Sequence, residues 1–236
     1  MQSEKQPASR VFDARTFFKR WPGFYYFIAT VFGPMMMRGL SARAFLSRYP
    51  QRGKTLNIGS GPRILGTEVT NIDIHPYPGV SITASADSIP LPSESIARII
   101  SDTVLEHIAN PAPAVAEMHR LLEKGGLAYV SIPFLYPYHS SPHDYQRWTI
   151  EGVRVLFSKF EIVELGVRAG PFSALTAYLC HLFGVIFSFG YAPLESILVN
   201  AFMFIFFPIK FLDLIFNYWP KADRVSALLY CVVRKK

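Results

Sequence analysis

Two glycines set one residue apart at the exit of a short apolar strand, followed by an acid at the end of the next, constrain this chain more than any other feature. Leu56-Asn57-Ile58 runs into Gly59-Ser60-Gly61-Pro62, and a second apolar run, Asn71-Ile72-Asp73-Ile74, carries a carboxylate. Glycine at a strand exit lets the backbone approach a ligand where any Cβ would collide with it. An acid at the end of the following strand suits the two hydroxyls of a nucleoside ribose. Together they predict an adenosine-type ligand lying across the carboxyl ends of a parallel sheet.

The spacing narrows the ligand. Dinucleotide sites follow their glycines with a full helix, whose N-terminus holds the pyrophosphate, and place the acid roughly 20 residues on. Gly59 and Asp73 are only 14 residues apart, and Arg63 to Glu68 holds a turn or so of helix at most. Pro62 and Arg63 stand where a third glycine would be needed. A pyrophosphate therefore finds a poor seat, whereas S-adenosylmethionine needs only the loop amides and the acid. Taken alone, these residues also suit an ordinary strand-turn-strand with incidental glycines.

Half of the 236 residues are hydrophobic, 15% are aromatic and only 17% are charged, against roughly 25% charged in a typical soluble domain. That surplus calls for an apolar environment beyond one core. A net charge of +7 suits anionic lipid or nucleic acid. Basic stretches interleaved with aromatics are not evident, so lipid is expected and nucleic acid is not. Cys180 and Cys231 lie in apolar surroundings without paired spacing, which indicates neither a disulfide framework nor a zinc site and points to a reducing compartment. The polar start Gln2-Ser3-Glu4-Lys5 carries no cleavable-leader pattern.

Residues 1–50 read as a helical segment, interfacial or packed on the domain: the run Phe24 to Phe32, between Pro22 and Pro34, is too short to span a bilayer. Ser41 to Arg48 continues as helix. From residue 51 to 170 the pattern alternates strand and helix, with strands expected at 55–58, 69–74, 80–84, 96–101, 127–132 and 160–168. A helix over Pro111 to Leu122 carries Ala114, Val115, Met118, Leu121 and Leu122 at helical spacing, with Asn110 as its cap and Gly125-Gly126 as its end. A polar aromatic loop fills 133–149, and a helix lies near 150–157. Residues 221–236 supply the last strand, 226–234. The expected architecture is a Rossmann-like, doubly wound, mostly parallel sheet whose last strand is antiparallel.

Between the last two strands lies an apolar helical insert, 171–220. Pro171 to Leu194 bears no formal charge and is long enough to span, and Ser196 to Ile209 is marginal. If both flanking strands share one sheet, the insert returns to its own side, so a hairpin turning near Tyr191-Ala192-Pro193 or an interfacial pair is expected. Glu195 stands at the outer turn, while Arg168, Lys210, Lys221 and Arg224 stand at the flanks. That asymmetry predicts a catalytic domain on the cytoplasmic side of the membrane. An apolar lid or dimer face is the other reading.

These residues resemble the class I S-adenosylmethionine-dependent methyltransferases of the type 11 group. The loop at 56–61 resembles their first motif, and Asp73 their ribose-binding acid. Ala84 to Pro92 is similar to the segment closing over adenine. Val104-Leu105-Glu106-His107-Ile108-Ala109-Asn110-Pro111 resembles the turn after the fourth strand, and Glu117 to Gly126 the helix and turn before the fifth. The resemblance covers about 55–168 plus the last strand. It implies cofactor contacts from Asn57, Gly59, Ser60, Gly61, Asp73, Ile74, Ser85, Ala86, Asp87 and Asp102. Departures are Asn57 for the usual acid, the absent third glycine, Ser85 at the usual adenine-segment acid, and Lys124 for a common proline. Pro133 to Thr149 is similar to a subgroup associated with bacterial surface-polysaccharide and glycolipid gene sets.

For a hydroxyl acceptor the protein supplies alignment and a base. The loop after the fifth strand lies at the cofactor's methyl edge in this fold, which makes His139, His143 and Asp144 the catalytic candidates. His143 is expected as base and Asp144 as its orienting partner; alternatively these groups only pin the loop, with Arg147 bonding Asp144 or Glu151. Glu106-His107 is similar to a pair that holds metal in some quinone and small-RNA methyltransferases, but Thr103 stands at the second acid's position. No metal is therefore expected, and Glu106 and His107 read as braces. The function expected is methylation of a hydroxyl on a lipid-linked saccharide or other amphipathic acceptor. A quinone or other small-molecule acceptor, or a non-catalytic membrane scaffold, stands as the alternative.

Overall fold

The computed structural model describes residues 30–62, 64–139 and 143–236. Most of the expected N-terminal apolar run thus lies outside the described residues. Helix α1 (Ala42–Arg48) is capped by the Ser41 hydroxyl, which accepts from the Ala44 amide. There follow β1 (Thr55–Ile58), β2 (Val69–Asp73), β3 (Ile82–Thr83), β4 (Ile96–Asp102), a 3₁₀ turn (Leu105–His107), α2 (Ala112–Leu121), β5 (Leu122–Pro133), α3 (Ile150–Leu156), β6 (Phe160–Ala169), α4 (Pro171–Ser188), α5 (Ala192–Phe206), a 3₁₀ segment (Phe207–Leu212), α6 (Asp213–Phe216), a second 3₁₀ turn (Ala222–Arg224) and β7 (Leu228–Lys235).

The strands form one seven-stranded sheet in the order β3-β2-β1-β4-β5-β7-β6. β1 to β5 are parallel, and β7 inserts between β5 and β6 antiparallel to both. This is the doubly wound sheet with an antiparallel last strand. All four residues of β1 are buried because strands flank it on both sides. Successive residues of the central strands feed opposite faces. Ile99, Val130 and Cys231 join the core under α2 and α3, while Ile100, Tyr129 and Val232 join the core under α1.

One boundary departs from the expectation. Gly125-Gly126 does not separate helix from strand, because β5 starts at Leu122 and pairs with Ile96 before the glycines. The register then slips between Ile96 and Arg98, and Gly125 takes a φ of +77°. The glycines make a bulge in the strand, a place where left-handed backbone is useful. Asn110 also sits one residue early: Pro111 holds the cap position, and the Asn110 side chain accepts from the Ala112 amide at 3.4 Å.

The insert is a helical hairpin. α4 and α5 pack through Gly184, where a Cβ would collide with Val199, and through Phe183, which stacks on Phe206 and meets Phe202 at a tilt, both at 5.4 Å. The turn falls at Phe189-Gly190, with φ of 50° and 83°, slightly before the expected Tyr191-Ala192-Pro193. At the base, the buried Asp213 carboxylate accepts from the Phe172 and Ser173 amides and the Ser173 hydroxyl, so α6 caps the first turn of α4. Lys210 is 1% exposed and donates to the Thr30 and Gly33 carbonyls. It is an internal strut and not the flanking surface charge its sequence position suggested.

Candidate active site

Asn57 lies within β1, and the other residues expected at the cofactor stand at or just past strand ends: Gly59 to Gly61 after β1, Asp73 and Ile74 at β2, Ser85 to Asp87 after β3, and Asp102 at β4. Ser60 binds back through its amide to the Ile72 carbonyl. The two oxygens of Asp73 accept from the Gly61 amide at 2.8 Å and the His75 amide at 2.9 Å. Asp73 therefore fixes the glycine loop as well as standing where a ribose would lie, with lone pairs left for two hydroxyls. The two glycines differ in what they do. A Cβ on Gly59 would lie 2.5 and 2.6 Å from the Val104 methyls, whereas a Cβ on Gly61 would meet nothing within 4 Å. Gly59 is a packing glycine, and Gly61 faces the space a ligand needs.

Asn57 does not orient the glycine loop directly. Its side-chain amide donates to Asn71, which in turn donates to the Gly79 carbonyl, bracing β1 against β2 and the 79 turn. Ile74 is exposed just beyond Asp73, an apolar surface next to the ribose position. Ser85 to Ser88 form a tight turn in which Ser85 and Asp87 are exposed and Ala86 packs toward the core. Asp102 is the last residue of β4.

On the acceptor side, the loop after β5 folds over the 3₁₀ turn after β4. The Tyr145 amide donates to the Glu106 carbonyl at 2.8 Å, and His107 Nδ1 meets the His143 carbonyl at 2.5 Å. The expected His143-Asp144 pairing is corrected here. Asp144 is gripped by both guanidinium nitrogens of Arg147 at 2.5 and 2.6 Å, accepts from the His139 amide at 2.8 Å, and lies 3.4 Å from His139 Nδ1. His143 is exposed, and its ring packs on Tyr145. A bidentate guanidinium at i+3 outcompetes a neighbouring imidazole for a carboxylate. Arg147 also donates to the Tyr136 and Pro137 carbonyls, which closes the loop on itself. Beside it opens a shallow cavity of about 290 Å³ lined by Tyr136, Tyr138, Asp144, Tyr145 and Arg147.

The electrostatics follow from this packing. Burial alone would raise the Asp144 carboxyl, but Arg147 and the His139 amide pull it down to about 2. Burial pushes Glu106 up to about 8, against the opposing pull of its own backbone amide and Arg147. Burial lowers His139 despite Asp144 beside it, which keeps the imidazole neutral near neutral pH. Both Glu106 and His107 converge with His139, a grouping the linear sequence hid because 32 residues separate His107 from His139. The signal available was the Glu-His pair itself, read as a brace.

Residues 59–130 match the family of the methyltransferase domain, type 11. Over those residues the chain carries the signature of an S-adenosylmethionine-dependent methyltransferase domain. The fold is similar to a phosphoethanolamine N-methyltransferase 2 of Haemonchus contortus solved with S-adenosyl-L-methionine, at a TM-score of 0.54 and 15% identity, covering 96% of this chain and 60% of that one. It is similar also to a putative sarcosine dimethylglycine methyltransferase of Galdieria sulphuraria, with a TM-score of 0.52, 14% identity and coverage of 95% and 99%. A possible histamine N-methyltransferase of Thermotoga maritima gives 0.51, 15%, and coverage of 94% and 99%. No curated protein matches the sequence significantly. The loop at Gly59-Gly61 and Asp73 stand at the ends of β1 and β2, and the turn at 105–107 is clasped by the loop after β5 through Tyr145, His143 and His139.

Proposed function

We propose that this methyltransferase works at the cytoplasmic face of a membrane and methylates a hydroxyl of a lipid-linked saccharide or other amphipathic acceptor. One observation carries the reading: the apolar hairpin leaves the sheet at the same edge as the cofactor loop. β6 ends at Ala169 and β7 begins at Leu228, both paired level with Pro133 at the end of β5. Ala169, Ala174 and Leu228 pack with Leu135 and Tyr136 of the acceptor-side loop, and Tyr178 of α4 acts electrostatically on Arg147.

The outer surface of that hairpin suits hydrocarbon. Pro171–Ser188 and Ala192–Phe216 are long and apolar enough to cross a membrane, and only 39% and 17% of their windows are buried. A core helix of a soluble domain would be mostly covered. Leu182, Ile186, Phe187, Ile197, Ile205 and Ile215 instead lie about half exposed or more, a concentration of exposed large apolar side chains of the kind that marks a lipid or partner surface. Lys221 and Arg224 flank the base, and the turn carries no cation, as expected of a hairpin whose base stays cytoplasmic; Arg168, like Lys210, is buried and donates to a backbone carbonyl, that of Gly39.

In the transfer step the acceptor oxygen displaces the cofactor's sulfonium sulfur at the methyl carbon, and the acceptor proton passes to a base. Of the loop's two histidines, His139 lies nearer the buried carboxylates, with Asp144 3.4 Å from Nδ1 and Glu106 3.8 Å from Nε2, whereas His143 is exposed. The test uses membranes containing the full-length chain, incubated with cofactor labelled in its methyl group and with lipid extracts. Label in a saccharide-lipid fraction is expected, and label in a quinone fraction would change the acceptor. Deleting 172–219 across a short Gly-Ser turn should give a soluble protein that binds cofactor but labels lipid poorly. A full-length chain that stays soluble without detergent would overturn the membrane reading.

A further inference from the structure

Glu106 is wholly buried, and neither of its carboxylate oxygens has a hydrogen-bond partner among the described residues. A buried carboxyl without partners is costly and calls for an explanation. Its neighbours supply one. Glu106, His107 and His139 each offer a ligand atom, and these atoms all lie within 4.8 Å of one another. We propose that Glu106, His107 and His139 hold a divalent first-row metal ion of the zinc class, with at least one coordination position left open toward the cofactor edge.

The outer contacts of the two imidazoles decide which nitrogen is free. His107 Nδ1 is spent on the His143 carbonyl at 2.5 Å. His139 Nδ1 faces the Asp144 carboxylate at 3.4 Å, and Arg147 holds that carboxylate in place. The His107 contact places its proton on Nδ1 and leaves Nε2 free, as the outer contacts of metal-bound histidines characteristically do; His139 Nδ1 lies 3.5 Å from Arg147 Nη2 as well as beside Asp144, and the ring's position between Asp144 and Glu106 is what turns Nε2 inward. His139 Nε2 lies 3.8 Å from Glu106 Oε1, and the two rings meet edge to face at 5.2 Å. Ligands about 2.1 Å from a tetrahedral ion stand about 3.4 Å apart, so side-chain rotation that closes the present separations, 3.8 Å for one pair and at most 4.8 Å for any, by up to about 1.4 Å completes the group. Two imidazoles and one carboxylate suit zinc-like ions and not magnesium or calcium, which prefer all-oxygen shells. The linear sequence argued against a metal here because a second nearby acid is missing; His139, delivered by the loop after β5, takes that place.

The ion would sit beside the glycine loop, since Val104, which leads into the Glu106 turn, packs on Gly59. Its use in binding an acceptor oxygen rests on the methyl-transfer reading, whereas metal binding itself does not. The experiment takes tag-free, full-length protein in detergent, strips it with a chelator, and titrates it with zinc by calorimetry and with cobalt by absorption. One ion per chain is expected. Glu106→Gln, His107→Ala and His139→Ala should each weaken binding at least about tenfold, and Asp144→Asn about 10–100-fold through the His139 ring. His119→Ala, on the far side of α2, should leave binding unchanged. Circular dichroism of the stripped variants separates lost binding from lost fold. X-ray absorption on the zinc-loaded wild type should show two imidazoles. Failure of the wild type to take up one ion, or a shell without two imidazoles, would overturn the site. S-adenosylmethionine binding, measured on the stripped protein, separately tests the methyl-transfer reading.

Discussion

The two motif glycines look equivalent in the sequence, and the structure separates them into a packing glycine and a ligand glycine. Gly59→Ala places a methyl 2.5 and 2.6 Å from the Val104 side chain, at a φ of +66°. Left-handed backbone costs a non-glycine residue about 1–2 kcal/mol, and overpacking a fitted contact adds about 1–3 kcal/mol. A loss of about 2–5 kcal/mol is therefore expected, read as the shift in denaturant midpoint. Gly61→Ala shares the backbone penalty at φ +52° but meets no atom within 4 Å, so about 1–2 kcal/mol is expected from it. Cofactor affinity should move the other way: Gly61→Ala puts a methyl into the ligand space and should weaken binding clearly. The double-mutant cycle isolates the contact. Val104→Ala should recover the overpacking part of the Gly59→Ala loss, giving a coupling of about 1–3 kcal/mol, and should recover nothing at Gly61. Equal destabilisation at the two glycines, or a Gly59-Val104 coupling near zero, would refute the assignment.

Asp73→Ala removes the acceptor of two amides and two ribose contacts, so cofactor affinity should fall at least about tenfold, with the glycine loop gaining amide hydrogen exchange. For Asp144 the folded carboxyl sits at about 2 against an ordinary 3.8. Its contribution of about 2 kcal/mol is present above pH 4 and lost as pH falls from about 4 toward 2, so wild-type and Asp144→Asn unfolding curves should converge over that window. Asp213→Ala leaves the Phe172 and Ser173 amides without their cap and should cost about 2 kcal/mol, seen as new proteolytic cleavage near the start of α4.

Much of this molecule is legible in the order of its residues, for reasons that differ from element to element. β1, β2 and β4 announce themselves because buried parallel strands are short unbroken apolar runs. Their ends carry Gly59, Gly61 and Asp73, whose backbone needs and charge are local properties. The bulge at Gly125-Gly126 was not legible, since the pairing of Leu122 with Ile96 is a long-range contact and two glycines after a helix usually end it. The partner of Asp144 was equally hidden. His143 is adjacent in sequence, but strand-like backbone turns neighbouring side chains apart, and Arg147 reaches the carboxylate from three residues on. The gathering of Glu106, His107 and His139 depends on the loop after β5 folding back over the turn after β4, which no local pattern reports.

The position of the insert ties these features together. An antiparallel last strand must enter from the C-terminal edge of the sheet, because β6 runs parallel to β5 and ends there. Any element placed between β6 and β7 therefore begins and ends at the edge where cofactor loops gather in a doubly wound sheet. An apolar hairpin inserted there puts hydrocarbon-seeking surface beside the methyl-donor edge without altering a strand. Inserted after β4 or α2, the same hairpin would interrupt the parallel core. The base is then locked from within: Asp213 caps α4, Lys210 holds the 30–33 carbonyls, and the Met36 amide donates to Ser173. Those bonds fix where the hairpin leaves the sheet, so the spacing between its apolar surface and Tyr136 is set by the fold and not by a flexible linker.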